Sequence, residues 1–238
     1  MERITEMSRQ PMARITGVVY LLSFLVALGT LITPGTPNDI VAHESLFRLG
    51  YATSLIWIAL YIAVTALLYF LFEPVSKRLA LLAAFFSLVG CTIQVFSSVF
   101  LLVPLVLGGG HYVNAFSASQ SQGLAQMFLD LNVQANYIAV VFFGLFDIVI
   151  GYLIFKSTFM PRILGALMAI AGLGWLIFLS PPLANRVLIY IEAPGFIAEL
   201  ALMLWLLVFG VNVQRWKEQA GARGMVNPTS VQRQRSPV

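Results

Sequence analysis

Charge is what this chain has least of: 10% of its 238 residues are charged and 59% are hydrophobic, whereas a soluble domain is about a quarter charged. A fold in water has too little interior to hide that much apolar surface. Cysteine is nearly absent. Cys91 is single, which excludes an intrachain disulfide and a cysteine-based metal cluster. Histidine is scarce too, with only His43 and His111, so neither an H-E-x-x-H zinc helix nor a haem held between two helix-borne histidines can be built. No G-x-S-x-G elbow is present, and Gly108-Gly109-Gly110 lacks the lysine of a phosphate loop. A metalloenzyme, a nucleotide-driven enzyme and a serine hydrolase are therefore not expected. No catalytic set, cofactor or metal is assigned.

What the chain does have is long apolar runs with almost no charge, at 15–33, 50–72, 79–107, 133–155, 163–180 and 188–213. Each reaches the roughly 18 residues that an apolar helix needs to cross hydrocarbon. The first follows Arg9 and Arg14 as a signal peptide would, but its core exceeds the usual stretch of about 7 to 15 residues, so it reads as a retained helix. Pro34-Gly35-Thr36-Pro37 ends it, because proline cannot continue the backbone ladder.

Basic residues fall between these runs in a lopsided way. Twelve of the 14 lie on one side: Arg3, Arg9 and Arg14; Lys77 and Arg78; Lys156 and Arg162; and Arg215, Lys217, Arg223, Arg233 and Arg235. The other side holds Arg48 and Arg186, and the glycine-bearing connection at 108–132 holds none. Because Lys and Arg are retained in the cytoplasm, both termini are expected there. The expected fold is an all-α, six-helix transmembrane bundle in a cell membrane, with its partner the lipid bilayer. Residues 1–14 form a cytoplasmic segment, 15–213 the membrane domain and 214–238 a basic, disordered cytoplasmic tail. The scattered basic residues form no patch with interleaved aromatics, so nucleic acid is not an expected partner.

Two stretches resemble each other: Tyr69 to Phe72, Arg78-Leu79 and Gly90 against Tyr152 to Phe155, Arg162-Ile163 and Gly174. Either the second and third runs repeat as the fourth and fifth, an arrangement that places transporter sites at repeat interfaces, or apolar sequences simply share a small alphabet.

Polar side chains inside apolar runs are costly and usually face protein or water. Gln94, Asp147 and Glu199 lie deep within their runs, and Asn136 and Glu192 about a turn inside the outer boundary. Glu192 and Glu199, seven apart, share a helical face, as do Asn136, Val140, Phe143 and Asp147. They read as an interior site for a proton, a cation or a small polar ligand, or as hydrogen-bonding glue between helices. Pro194-Gly195 could break the last helix and free carbonyls beside Glu199. Outside, Glu44 and Arg48 are spaced for a helical ion pair. Arg48 could also reach Asp130 or Glu192 to form the lip of a pocket.

The segments Leu46 to Gly50, Phe128 to Leu131, Phe142 to Leu145, Gly151 to Ile154, Pro161 to Gly165 and Glu199 to Leu202 occur in that order. Together they resemble the multi-pass bacterial membrane family known as domain of unknown function 4386, from about Arg14 to Val211. The resemblance implies six spans and a bacterial cell membrane. It places Arg48, Asp130 and Glu199 at the family's polar positions. It also implies a His-Asp-Tyr-like segment where this chain has Asn132 to Asn136, so a role for that histidine does not carry over. Three functions fit: small-solute transport or sensing through the interior site; a structural subunit whose Gly165, Gly172 and Gly174 admit a membrane partner or a second copy; or, third, a lipid-modifying intramembrane enzyme.

Overall fold

A computed structural model of the protein describes residues 9–109 and 115–222; His111, the first eight residues and the tail from 223 on lie outside the described residues. Everything regular in it is helical. Helix α1 (Arg9–Leu28) is extended by a 3-10 turn, Gly29–Ile32, and stops before Pro34 as its sequence requires. A short helix, α2 (Pro37–Ala42), starts on the Thr36 side chain, which accepts from the Asp39 amide at 3.2 Å.

Helix α3 (Glu44–Ser98) is regular on either side of Ser76, which is extended at φ −163° and ψ 106°. Pro74 removes a backbone donor just before this break, and the Ser76 hydroxyl then accepts from the Leu79 amide at 3.4 Å, capping the restart. The chain reverses there. Thr65 and Ser87, about 33 Å apart along an unbroken helix at ~1.5 Å per residue, have their hydroxyls 2.6 Å apart. Arms 44–75 and 77–98 therefore run antiparallel.

A 3-10 turn and α4 (Val103–Gly108) follow. Helix α5 (Ala118–Lys156) begins well before the expected 133, so most of the connection read at 108–132 is helical. The reason is a capping box: Ser117 Oγ accepts from the Gln120 amide and Gln120 Oε1 from the Ser117 amide, at 3.3 and 2.8 Å. Its polar first turns, with α2 and α4, cover a small core of Ile40, Phe47 and Leu129.

Helices α6 (Arg162–Trp175) and α7 (Pro181–Val208) complete the membrane-like part. The expected break at Pro194-Gly195 is absent. Helix α7 runs through both residues and departs from helical geometry at Val187 instead (φ −120°, ψ 15°); proline inside an apolar helix is tolerated where neighbours pack against it. Gly210, at φ 66°, then turns the chain, its amide bonding the Trp205 carbonyl at 2.9 Å in the left-handed arrangement that suits glycine.

The tail expected to be disordered from residue 214 is ordered as far as the described residues reach. Residues Val213–Gly221 form helix α8, capped by Asn212. Its Trp216 is buried and donates its indole N–H to the Leu71 carbonyl at 3.0 Å. Burying an indole and satisfying a carbonyl outweighs the polar composition of the segment.

Five stretches are long and apolar enough to cross a bilayer: Pro11–Ile32, Glu44–Gly108, Ala118–Lys156, Arg162–Leu179 and Arg186–Val208. They close on themselves. Helix α1 packs on α3 and α7, α3 on α5, α5 on α6, and α6 on α7. The α5–α6 seam is close, because glycines face each other across it: a Cβ added to Gly151 would lie 2.6 Å from the Gly165 carbonyl oxygen, and one on Gly144 2.8 Å from that of Gly172. Gly165 and Gly172, read as a surface for a partner, are thus occupied within the chain.

Candidate functional site

At the centre of the ring lies a cavity of about 240 Å³. Each packed segment contributes to it. Tyr20, Ser23, Phe24 and Ala27 form one stripe of α1, Trp57 and Tyr61 come from the first arm of α3, and Gln94 comes from the second. Val140 and Phe143 enter from α5, Trp175 from the end of α6, and Phe196 and Glu199 from α7. The rings brace one another edge to face, with centroids 6.1 Å apart for Tyr20 and Tyr61, 5.3 Å for Tyr61 and Phe143, and 6.2 Å for Phe24 and Phe196, the geometry that aromatic quadrupoles favour.

Glycine seats one wall. A Cβ on Gly144 would fall 2.8 Å from the Trp175 Cβ, and one on Gly195 would run into the Trp175 ring. Pro194-Gly195 therefore serves here as the floor on which the indole rests rather than as a helix break.

Glu199 accepts a hydrogen bond from the Tyr20 hydroxyl at 3.1 Å through Oε2, joining α7 to α1. Gln94 donates to Asn136 Oδ1 at 3.3 Å. Asn136 in turn donates to the Asn132 carbonyl at 2.9 Å, and Asn132 to that of Ser97 at 2.9 Å. This amide chain fixes the Gln94 side chain and leaves its Oε1 buried and without a partner among the described residues. Asp147 sits one turn along α5 from Phe143, 0% exposed, with neither carboxylate oxygen hydrogen-bonded. It lies close to Glu199, and the Trp175 side chain lies beside it.

Of the residues singled out in the sequence, the structure thus gathers Gln94, Glu199 and, through Gln94, Asn136, with Asp147 next to them. The outer residues stay apart. Arg48 pairs with Glu44 at 2.7 Å on an exposed helix face, in the predicted spacing. Asp130 accepts from Gln126 at 2.9 Å, also exposed. Among the described residues no ion pair links Arg48 to Asp130 or Glu192, and none of these three lines the cavity. Nor do the described residues hold a group of three His, Cys, Asp or Glu side chains placed for a metal ion.

Sequence reasoning missed Tyr20, Tyr61, Trp57 and Trp175. The signal for the first was present: Tyr20, Ser23, Phe24 and Ala27 recur at i, i+3, i+4 and i+7, one helical face carrying two hydroxyls through an apolar run. The indoles read only as apolar bulk.

No solved structure matches this fold. A protein of Archaeoglobus fulgidus, described as uncharacterized, is 30% identical over 154 residues, 64% of this chain and 78% of its own length. The profile of the family described as Domain of unknown function (DUF4386) matches residues 15–210. With that match spanning most of its length, the chain belongs to the DUF4386 family.

Proposed function

We propose that this protein is a six-span membrane protein of the cell membrane, with both termini cytoplasmic, that binds a small solute in its central cavity for transport or sensing. One observation carries the reading: a closed ring of apolar helices surrounds a cavity lined by a carboxylate, Glu199, and by the amide side chain of Gln94. Polar groups are expensive within a bilayer and concentrate where a ligand, ion or water meets them. The six-span count is supported by the reversal at Ser76, which divides the 65-residue apolar stretch into two arms. The orientation rests on the lopsided basic residues.

A scaffolding role has less behind it, because Gly165 and Gly172 are occupied by α5. The test is thermal unfolding of purified protein in lipid across a panel of metabolites, ions and pH values, comparing wild type with Asp147→Asn and Glu199→Gln. A ligand-dependent rise in melting temperature that either variant loses supports the reading. Identical behaviour of all three proteins throughout the panel overturns it and returns attention to a membrane partner.

A further inference from the structure

Resting on the small-solute reading, we infer that the cavity takes a small organic monocation, a quaternary or protonated amine. The walls are the first reason. Aromatic faces attract weakly hydrated cations through their quadrupoles, and Trp57, Trp175 and Phe196 stand around the space. Charge is the second: Glu199 opens into the cavity, Asp147 lies behind it, and among the described residues no Lys or Arg lines it. An anion is repelled there, whereas a cation supplies the missing counter-charge.

A hard metal ion fits poorly, since it favours several carboxylate and carbonyl oxygens, and the wall offers one carboxylate, Glu199, beside the neutral hydroxyls of Tyr20, Ser23 and Tyr61. Size sets the last limit. About 240 Å³ is roughly the room of eight waters at ~30 Å³ each, and falls below the ~300 Å³ at which drug-sized pockets begin. A trimethylammonium group on a short arm matches that space.

Binding is measured in maltoside micelles, which carry no amine headgroups, by the fluorescence of Trp57 and Trp175 and by thermal shift. The probes are choline and its uncharged isostere 3,3-dimethyl-1-butanol. Choline is expected to bind saturably and at least ~10-fold more tightly than the isostere, a gap of about 1.4 kcal/mol. Glu199→Gln, which still offers Tyr20 an acceptor, is expected to erase that preference. Trp57→Leu is expected to weaken choline severalfold, and Ala27→Phe to block both probes by filling the space.

Equal binding of the two probes, or a preference that survives Glu199→Gln, overturns the cation assignment while leaving the small-solute reading in place, provided Ala27→Phe still blocks binding. Should neither probe bind a wild type that melts cooperatively, the cation assignment falls. The wider metabolite panel then decides the small-solute reading separately.

Discussion

Asp147, beside the Trp175 side chain, has neither oxygen in hydrogen-bonding geometry with a partner among the described residues, at 0% exposure on a helix whose other buried side chains are apolar. A buried carboxylate without partners lowers stability, and by more than an amide of the same shape does. Glu199 is different in kind, because its Oε2 receives the Tyr20 hydroxyl and ties two helices together. Asp147→Asn is therefore expected to leave the melting temperature in lipid unchanged or raise it, while altering any ligand response. Glu199→Leu is expected to cost about 1–3 kcal/mol by orphaning a buried tyrosine hydroxyl. A loss above ~1 kcal/mol in Asp147→Asn, measured by thermal unfolding, would mean that the carboxylate has a structural partner. The polar members of the site were legible because an amide or carboxylate stands out in an apolar run. Tyr20 and Tyr61 were not, since tyrosine is apolar over most of its surface. Trp175 depends on glycines in two other helices, a relation that one sequence read along its length does not display.

At the scale of elements, the α5–α6 seam brings backbone against backbone, with an added Cβ on Gly165 only 2.6 Å from the Gly151 carbonyl oxygen. Neither helix can yield without losing its other neighbours, since α5 also packs on α3 and α6 on α7. Gly151→Ala and Gly165→Ala are each expected to destabilise by about 1–3 kcal/mol. Gly123 supplies the control: it lies in the same α5 helix with nothing within 4 Å of its added Cβ, so Gly123→Ala is expected to gain ~0.5–1 kcal/mol from helix propensity alone. Thermal unfolding of the three variants checks the contrast, and equal effects would show that the seam is looser than drawn. Element boundaries were legible where local chemistry sets them, as at Pro34 to Pro37. The early start of α5 was legible in principle, because Ser117 and Gln120 have capping-box spacing. Helix α8 was not, because its order comes from Trp216 docking on Leu71, a contact 145 residues away in sequence.

For the molecule as a whole, topology is the property on which the direction of any pathway through the cavity depends. Hydropathy made the membrane character legible, but a 65-residue helical stretch with one extended residue is, by length alone, a single element. What divides it is the break at Pro74 to Ser76, between the runs read at 50–72 and 79–107, and Thr65 against Ser87 shows that the two arms turn back on each other. On the proposed orientation, which rests on the positive-inside bias, Lys77 and α8 lie in the cytoplasm and α2 and the start of α5 outside. The lone cysteine makes this testable, because Cys91 is buried and Cys91→Ser gives a clean background. Exposed single cysteines are then placed by Asn38→Cys, Lys77→Cys, Ser119→Cys and Glu218→Cys. A membrane-impermeant maleimide is expected to label positions 38 and 119 on intact cells, and 77 and 218 only after permeabilisation. Reversal of all four keeps six spans but inverts the protein, turning the basic connections outward against the retention rule. Labelling of position 77 together with 38 and 119 in intact cells removes a crossing on each side of Ser76, so that the 65-residue stretch no longer spans twice and the count of six fails.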